Sequence, residues 1–250
     1  PALRHASVVV LAAFNHPGTP AAILPNYKSW TPVEQQAAIA TLTSRAEYVL
    51  PLLDAMEKGL VPRQDLSAFT VRQLTQLNNE QVSKRLNDVW GTTRLTSTDK
   101  AAERDSYKKQ LNPAVLSKAD LSHGRELFNK TCGTCHLLFG AGKQIGPDIT
   151  GSNRANLDYL LENLLDPSAV IGKDYQSTLI VTANGRSLTG ILKGETETAV
   201  TLQTPTEVLT IPKNEIESRK LSPLSLMPDG QLKPLPSEDV RDLIAYLAAP

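Results

Sequence analysis

The chain reads as mostly α-helical with a small antiparallel β insertion, and three features predict it. Helix start and stop signals recur at short intervals from residue 1 to about residue 117. From Tyr175 the apolar spacing switches from a helical to a strand period. After Ser237 it returns to helical spacing for one last element.

In the first half, Leu3, Ala6, Val10 and Ala13 form an apolar stripe that ends at Asn15-His16-Pro17-Gly18. Thr31-Pro32-Val33-Glu34 combines an N-cap threonine, a first-turn proline and a glutamate three residues on, a capping box that opens a helix to about Thr43. Ser44 and Glu47 repeat the pattern ahead of Tyr48, Val49, Leu52, Leu53 and Met56, and Gly59 closes that helix. Met56 lies within the apolar stripe and reads as core. Further helices are expected over 67–77, 79–89 and 97–116. The short paired helices, with Ala37 to Leu42 echoing Ala6 to Leu11, suggest a degenerate HEAT-type α-solenoid over residues 1–117. An irregular helical bundle has the same periodicity and stays open as the alternative.

Residues 118–250 form the second expected domain. Asp120 caps a helix from Leu121 to Thr131, and a Gly-rich loop spans Gly140 to Gly151. Another helix runs from about Asn156 to Leu165 and stops at Asp166-Pro167. Strands are expected at Ser177 to Thr182, Arg186 to Lys193, Ala199 to Gln203 and Glu207 to Ile211, the first two joined by the hairpin signal Asn184-Gly185. They define an inserted β subdomain over 173–220, a small antiparallel sheet or barrel. Ser237 is expected to cap the closing helix, with Glu238 and Asp239 in its first turn and Val240, Leu243, Ile244 and Leu247 as its buried stripe.

Lys plus Arg and Asp plus Glu number 26 each, so the formal charge is zero and no basic run marks a nucleic-acid surface. The longest apolar stretch, Val8 to Phe14, is too short to cross a bilayer. The chain begins at Pro1 with neither an initiator Met nor a leader, which suggests a processed protein or part of a longer one.

Both cysteines of the chain lie in Cys132-Gly133-Thr134-Cys135-His136, the signature for covalent attachment of a c-type haem. Each thiol adds to one vinyl group of the haem, and the adjacent His136 is held where its imidazole binds iron. A thioredoxin-like dithiol would follow a buried strand, whereas the residues before Cys132 read as helical. A zinc site would need further suitably spaced ligands, and His5, His16 and His123 do not supply them. Haem c attachment belongs to extracytoplasmic compartments, which points to the bacterial periplasm or an equivalent location.

The second axial ligand is expected to be Met227, in the irregular segment Leu224-Ser225-Leu226-Met227-Pro228. Its polarisable sulfur suits reduced iron, and His/Met ligation raises the reduction potential. A ligating imidazole is oriented by its outer partners, and the Pro147 carbonyl in Gly146-Pro147 is placed to accept from His136. Arg154 has two open roles, a partner for a haem propionate or an ordinary surface arginine. His123 reads as a surface residue, as do His5 and His16.

Gly124, Phe128, Cys132 to His136, Gly146-Pro147, Met227 and Ile244-Ala245-Tyr246-Leu247 resemble the class I cytochrome c pattern, in which the first and last helices cross at a small glycine and an aromatic contact. The whole chain is similar to the haem-binding C-terminal region of large proteins from Planctomycetes and Verrucomicrobia. The similarity is strong after Asp120 and weak before it. It is carried also by Gly146-Pro147-Asp148-Ile149-Thr150, Leu165-Asp166-Pro167-Ser168, Asn184-Gly185-Arg186 and Leu226-Met227-Pro228. The resemblance implies HEAT-like repeats before a class I-like cytochrome c domain with a β insertion, and an upstream dehydrogenase-like domain in a longer protein. It departs from simple monohaem cytochromes in the long interval between His136 and Met227, most of it the strand-rich insertion.

The expected function is a monohaem electron-transfer module that relays single electrons from a fused or associated dehydrogenase to a downstream carrier. Two alternatives are open on the sequence. One is a haem enzyme or gas or redox sensor with an open or labile distal position, and the other is a helical scaffold with an accessory haem.

Overall fold

The computed structural model of the protein describes residues 2–75, 77 and 79–250. Position 76 of the expected helix 67–77 lies outside these residues. The fold is mixed α/β, with helices in both halves and a five-stranded antiparallel sheet. Two compact units divide the chain: Pro1–Leu95 with Val170–Lys173, and Thr96–Ala169 with Asp174–Pro250.

The first unit holds α1 (Ala2–Leu11), α2 (Thr19–Ile23), α3 (Pro32–Leu42), α4 (Ala46–Glu57), α5 (Ala68–Thr75) and α6 (Glu80–Val89). Thr31 and Glu34 form the expected reciprocal capping box at the start of α3. The second expected box does not form. The Ser44 hydroxyl instead donates to Thr41 O at 2.7 Å, and Arg45 occupies the N-cap of α4 without a side-chain bond. A serine one residue too early finds the last carbonyls of the preceding helix closer than the next helix's amides. Met56 is buried, as expected of core. The run after α6 is not helical: β1 (Gly91–Thr93) pairs antiparallel with Val170–Gly172, and the Trp90 indole donates to Leu66 O at 2.9 Å.

The second unit begins earlier than residue 117, because α7 (Thr98–Gln110) and α8 (Pro113–Leu116) pack within it. The single helix expected over 97–116 is broken at Leu111, which leaves helical geometry at ψ 45°. Asn112 then caps α8, and Pro113 takes its first turn, where a missing amide costs nothing. After α9 (Leu121–Thr131) come the short hairpin β2 (Leu137–Leu138) and β3 (Ala141–Gly142), then α10 (Leu157–Leu165). The strand Val170–Gly172 is β4, and β5 (Ser177–Thr182), β6 (Ser187–Glu195), β7 (Ala199–Gln203), β8 (Val208–Pro212) and β9 (Ile216–Leu221) follow. The closing helix is α11 (Ser237–Ala248).

The sheet order is β8-β7-β6-β5-β9, four meandering strands with a fifth that returns to pair with the first of them. Ile180, Val200, Leu202 and Ile211 close its small core. A larger core gathers Phe128, Leu138, Leu160, Leu161, Leu164, Leu243, Ile244 and Leu247 from α9, β2, α10 and α11. Each such side chain contributes roughly 1.5–3 kcal/mol by leaving water. Ser237 is the first helical residue of α11 rather than its cap, and Pro236 precedes it without a side-chain bond. Glu238 and Asp239 lie in the first turn as expected, facing the positive end of the helix dipole.

α9 and α11 approach until no side chain fits between them. A Cβ on Gly124 would lie 2.2 Å from Asp242 O and 2.7 Å from Tyr246 Cβ. One turn on, the Phe128 and Tyr246 rings meet at 5.8 Å between centroids, tilted by 51°.

Candidate functional site

The site is built where α9 ends. Asp120 opens α9 by accepting from the amides of Ser122 and His123, and the helix delivers Cys132 at its C-cap. The chain then tightens: the amides of Cys135 and His136 both donate to Cys132 O, at 3.0 and 2.9 Å. This turn brings both thiols and the imidazole into one short segment. Cys132 and Cys135 are unbridged and partly exposed. Burial pushes the Cys132 thiol above its ordinary value against the opposing Thr131 hydroxyl.

The loop after the motif folds back over it. Lys143 N donates to Gly133 O, and the amides of Ile145 and Gly146 donate to Cys135 O. The β2–β3 hairpin makes this return possible, with Phe139 and Gly140 at φ 52° and 78° as its two turn residues. Phe139 carries the cost of a positive φ without being glycine. Its amide donates to the Thr150 hydroxyl at 2.9 Å, and its ring meets Tyr246 edge-on at 6.3 Å.

His136 is oriented from two sides. Its Nδ1 lies 2.9 Å from Pro147 O, and a carbonyl only accepts, so Nδ1 carries the proton and Nε2 presents its lone pair. Gly146 lies against the ring, where a Cβ would come within 2.7 Å of Cε1. Burial lowers the pKa of this imidazole, only partly opposed by the Pro147 carbonyl, so the neutral ring that a metal ion needs is favoured.

Met227 is half-buried and packs against the same core that Cys132 borders. Its amide donates to Ser225 Oγ at 3.1 Å, and Ser225 N donates to Ser168 Oγ at 3.1 Å. Ser168, distant in sequence from the segment it holds, carried no signal in the chain.

Arg154 corrects an expectation. It is buried at 6% exposure, so it is not a surface arginine, and its guanidinium is largely taken up by backbone carbonyls. Nη1 donates to Leu247 O and Ala249 O at 2.6 and 2.7 Å, and Nε and Nη2 both donate to Thr150 O. The guanidinium therefore satisfies the orphan carbonyls at the end of α11, stacked over Phe139 at 4.7 Å. Its partners on α11 lie over ninety residues away, which is why the sequence did not show the role.

His123 is also more engaged than a solvated surface residue. Nδ1 lies 3.0 Å from Asp242 Oδ2, and Asp242 is buried. Among the described residues no group of three or more His, Cys, Asp or Glu gathers as a metal site. Two thiols with the spacing for two vinyl additions stand beside a neutral imidazole whose Nε2 is not the hydrogen-bonded nitrogen, and the Met227 thioether borders the same core as Cys132. Those groups fit a covalently held haem c.

No protein-family model matches the chain, and a search of curated proteins gives no match either.

Proposed function

We propose that the chain is an electron-transfer module carrying one haem c, held covalently by Cys132 and Cys135, with His136 and Met227 as axial ligands. The observation that carries this reading is the hydrogen bond from His136 to Pro147 O beside the bare face of Gly146, directly after the paired thiols. It fixes the tautomer and direction of an imidazole that has no other evident task. When bound, haem c supplies an iron that exchanges one electron at a time between its ferrous and ferric states. The protein's part is to present Nε2 of His136 and the sulfur of Met227, to keep water out with Phe128, Leu138 and Ile244, and to hold the ligands still between oxidation states. The close crossing of α9 and α11 supports a class I-like cytochrome c arrangement in this unit, with β5 to β9 as its insertion.

The first unit is proposed as a HEAT-like scaffold. α1 packs on α3 and α4 on α6, the pairwise helix packing on which that reading rests. The proposed partners are a fused or associated dehydrogenase as donor and a downstream carrier as acceptor, in the bacterial periplasm or another extracytoplasmic compartment. No described helix is long and apolar enough to cross a membrane.

Optical spectra of the purified protein, oxidised and dithionite-reduced, test the proposal. The expected result is a reduced c-type spectrum together with the weak oxidised band that reports sulfur on ferric iron. A protein without covalent haem refutes the assignment. Covalent haem without that band refutes Met227 as ligand and brings forward an enzyme or sensor with an open iron.

A further inference from the structure

The segment that carries Met227 has little regular structure of its own, yet it is pinned on both sides. On its N-terminal side, Ser177 Oγ donates to Leu224 O at 2.7 Å, and Ser168 Oγ accepts from Ser225 N. On its C-terminal side the pins come from α7, an element that the sequence placed in the other domain. Lys100 Nζ donates to Asp229 Oδ2 at 2.6 Å, and Lys233 Nζ lies 3.6 Å from Glu103 Oε1.

Lys100 does more than close a surface pair. The same ammonium donates to Leu165 O, the last carbonyl of α10, at 2.5 Å and lies 3.9 Å from the carboxylate of buried Asp166. It thus joins the C-terminus of α10, where a cation is favoured by the helix dipole, to a residue two positions beyond Met227. Its side chain is only 24% exposed. Without it, Leu165 O and the Asp229 carboxylate would lose the ammonium that joins them, and with it this link between α10 and the loop.

We propose that Lys100 is a positioning residue for Met227, clamping Asp229 to the end of α10 so that the thioether stays directed at the proposed iron site. The inference rests on Met227 being an axial ligand. On this basis α7 belongs functionally to the haem unit, and the distal ligand is controlled from outside the segment that contains it.

The test uses the full haem-loaded chain. Lys100→Met keeps the aliphatic stem and removes the charge, Lys100→Arg keeps the charge, and Asp229→Asn removes the exposed acceptor alone. The readouts are the sulfur-to-iron band and the rate at which cyanide enters the ferric protein, which requires the thioether to leave. Cyanide entry should accelerate about fivefold in Asp229→Asn, the scale of one partly exposed ion pair. It should accelerate about tenfold in Lys100→Met, which also loses the bond to Leu165 O. Lys100→Arg should restore a rate near that of the natural chain. Because Asp229 lies on a loop and is half-exposed, Asp229→Asn folds even if Lys100→Met does not. An unchanged band and cyanide rate in Asp229→Asn overturns the clamp. A natural chain that already lacks the band overturns the ligand assignment instead, so the two failures are separable.

Discussion

At the scale of single residues, two positions in the site carry geometry that a substitution would expose. Gly146 lies under the His136 ring, where an added methyl would overlap Cε1 at 2.7 Å. The Gly146→Ala protein should therefore tilt the imidazole off Pro147 O. Its loss of stability should be about 1–3 kcal/mol, the range for overpacking a closed site, and its reduced Soret band should shift. A spectrum and melting temperature like those of the natural chain would show that the ring has room to spare. Arg154 offers the converse test. If the guanidinium serves the carbonyls of Leu247, Ala249 and Thr150, Arg154→Gln should lower stability by about 2–3 kcal/mol with little change in reduction potential. A shifted potential in a protein of normal stability would restore the carboxylate-partner role that its geometry argues against.

At the scale of elements, the α9–α11 crossing depends on bare backbone at Gly124 and on an ionised network beside it. Asp242 accepts from Asp120 N, from Arg241 Nε and from His123 Nδ1, at 3.1, 2.7 and 3.0 Å. Burial alone would raise the Asp242 pKa, but Arg241, His123 and the Asp120 amide outweigh it and hold the carboxyl at about 2. The bond to Asp242 raises His123 above its ordinary 6.5, aided by Asp239 and Asp120. A raised histidine contributes fully below its unfolded value and loses that contribution as pH climbs through the folded one. A lowered carboxylate contributes fully above its unfolded value of 3.8 and loses it as pH falls towards about 2. Stability of this unit should thus be greatest between those limits. His123→Gln should flatten the decline on the alkaline side of 6.5 and weaken the acid side without abolishing it, because Arg241 and the Asp120 amide still hold Asp242. A decline that persists unchanged in that variant would assign it to other groups. Gly124→Ala, which forces a methyl against the Asp242 carbonyl, should cost about 3 kcal/mol in urea unfolding with the m-value unchanged.

The elements also mark what could be read from the chain alone. Local chemistry was legible: the Thr31 box, the Asp120 cap, and the strands at 177–182 and 199–203 follow from neighbours a few residues apart. The motif placed both thiols and His136, and Pro147 was legible as the imidazole's acceptor because it lies only eleven residues on. What escaped was set by distant partners. β9 reads Ile-Glu-Ser-Arg-Lys-Leu and is mostly exposed, so an edge strand held by pairing with β5 shows no apolar period. β1 and β4 are three residues each and exist through one another. Ser44 looked like a cap because its spacing to Glu47 was right, and only the closeness of Thr41 O decided otherwise.

At the scale of the whole molecule, the division of the chain decides which fragment could work alone. A boundary at residue 117 would remove α7 and α8, and with them Leu111 from the larger core and the pairs Lys100–Asp229, Arg104–Glu162 and Lys108–Asp158. Loss of Leu111 alone should cost about 2–4 kcal/mol. The three pairs, each partly exposed, add up to about 1 kcal/mol apiece. Residues 96–250 retain all of them. Both fragments leave Val170–Gly172 without β1, so that loss cancels between them. Fragment 96–250 should accordingly melt well above fragment 118–250, and when loaded with haem it alone should keep the sulfur-to-iron band. Equal melting temperatures and equal spectra would mean that α7 and α8 only decorate the unit, and the Lys100 clamp would fail with them. If fragment 96–250 keeps its spectrum but exchanges electrons more slowly with the natural donor than the full chain does, the first unit is the docking surface.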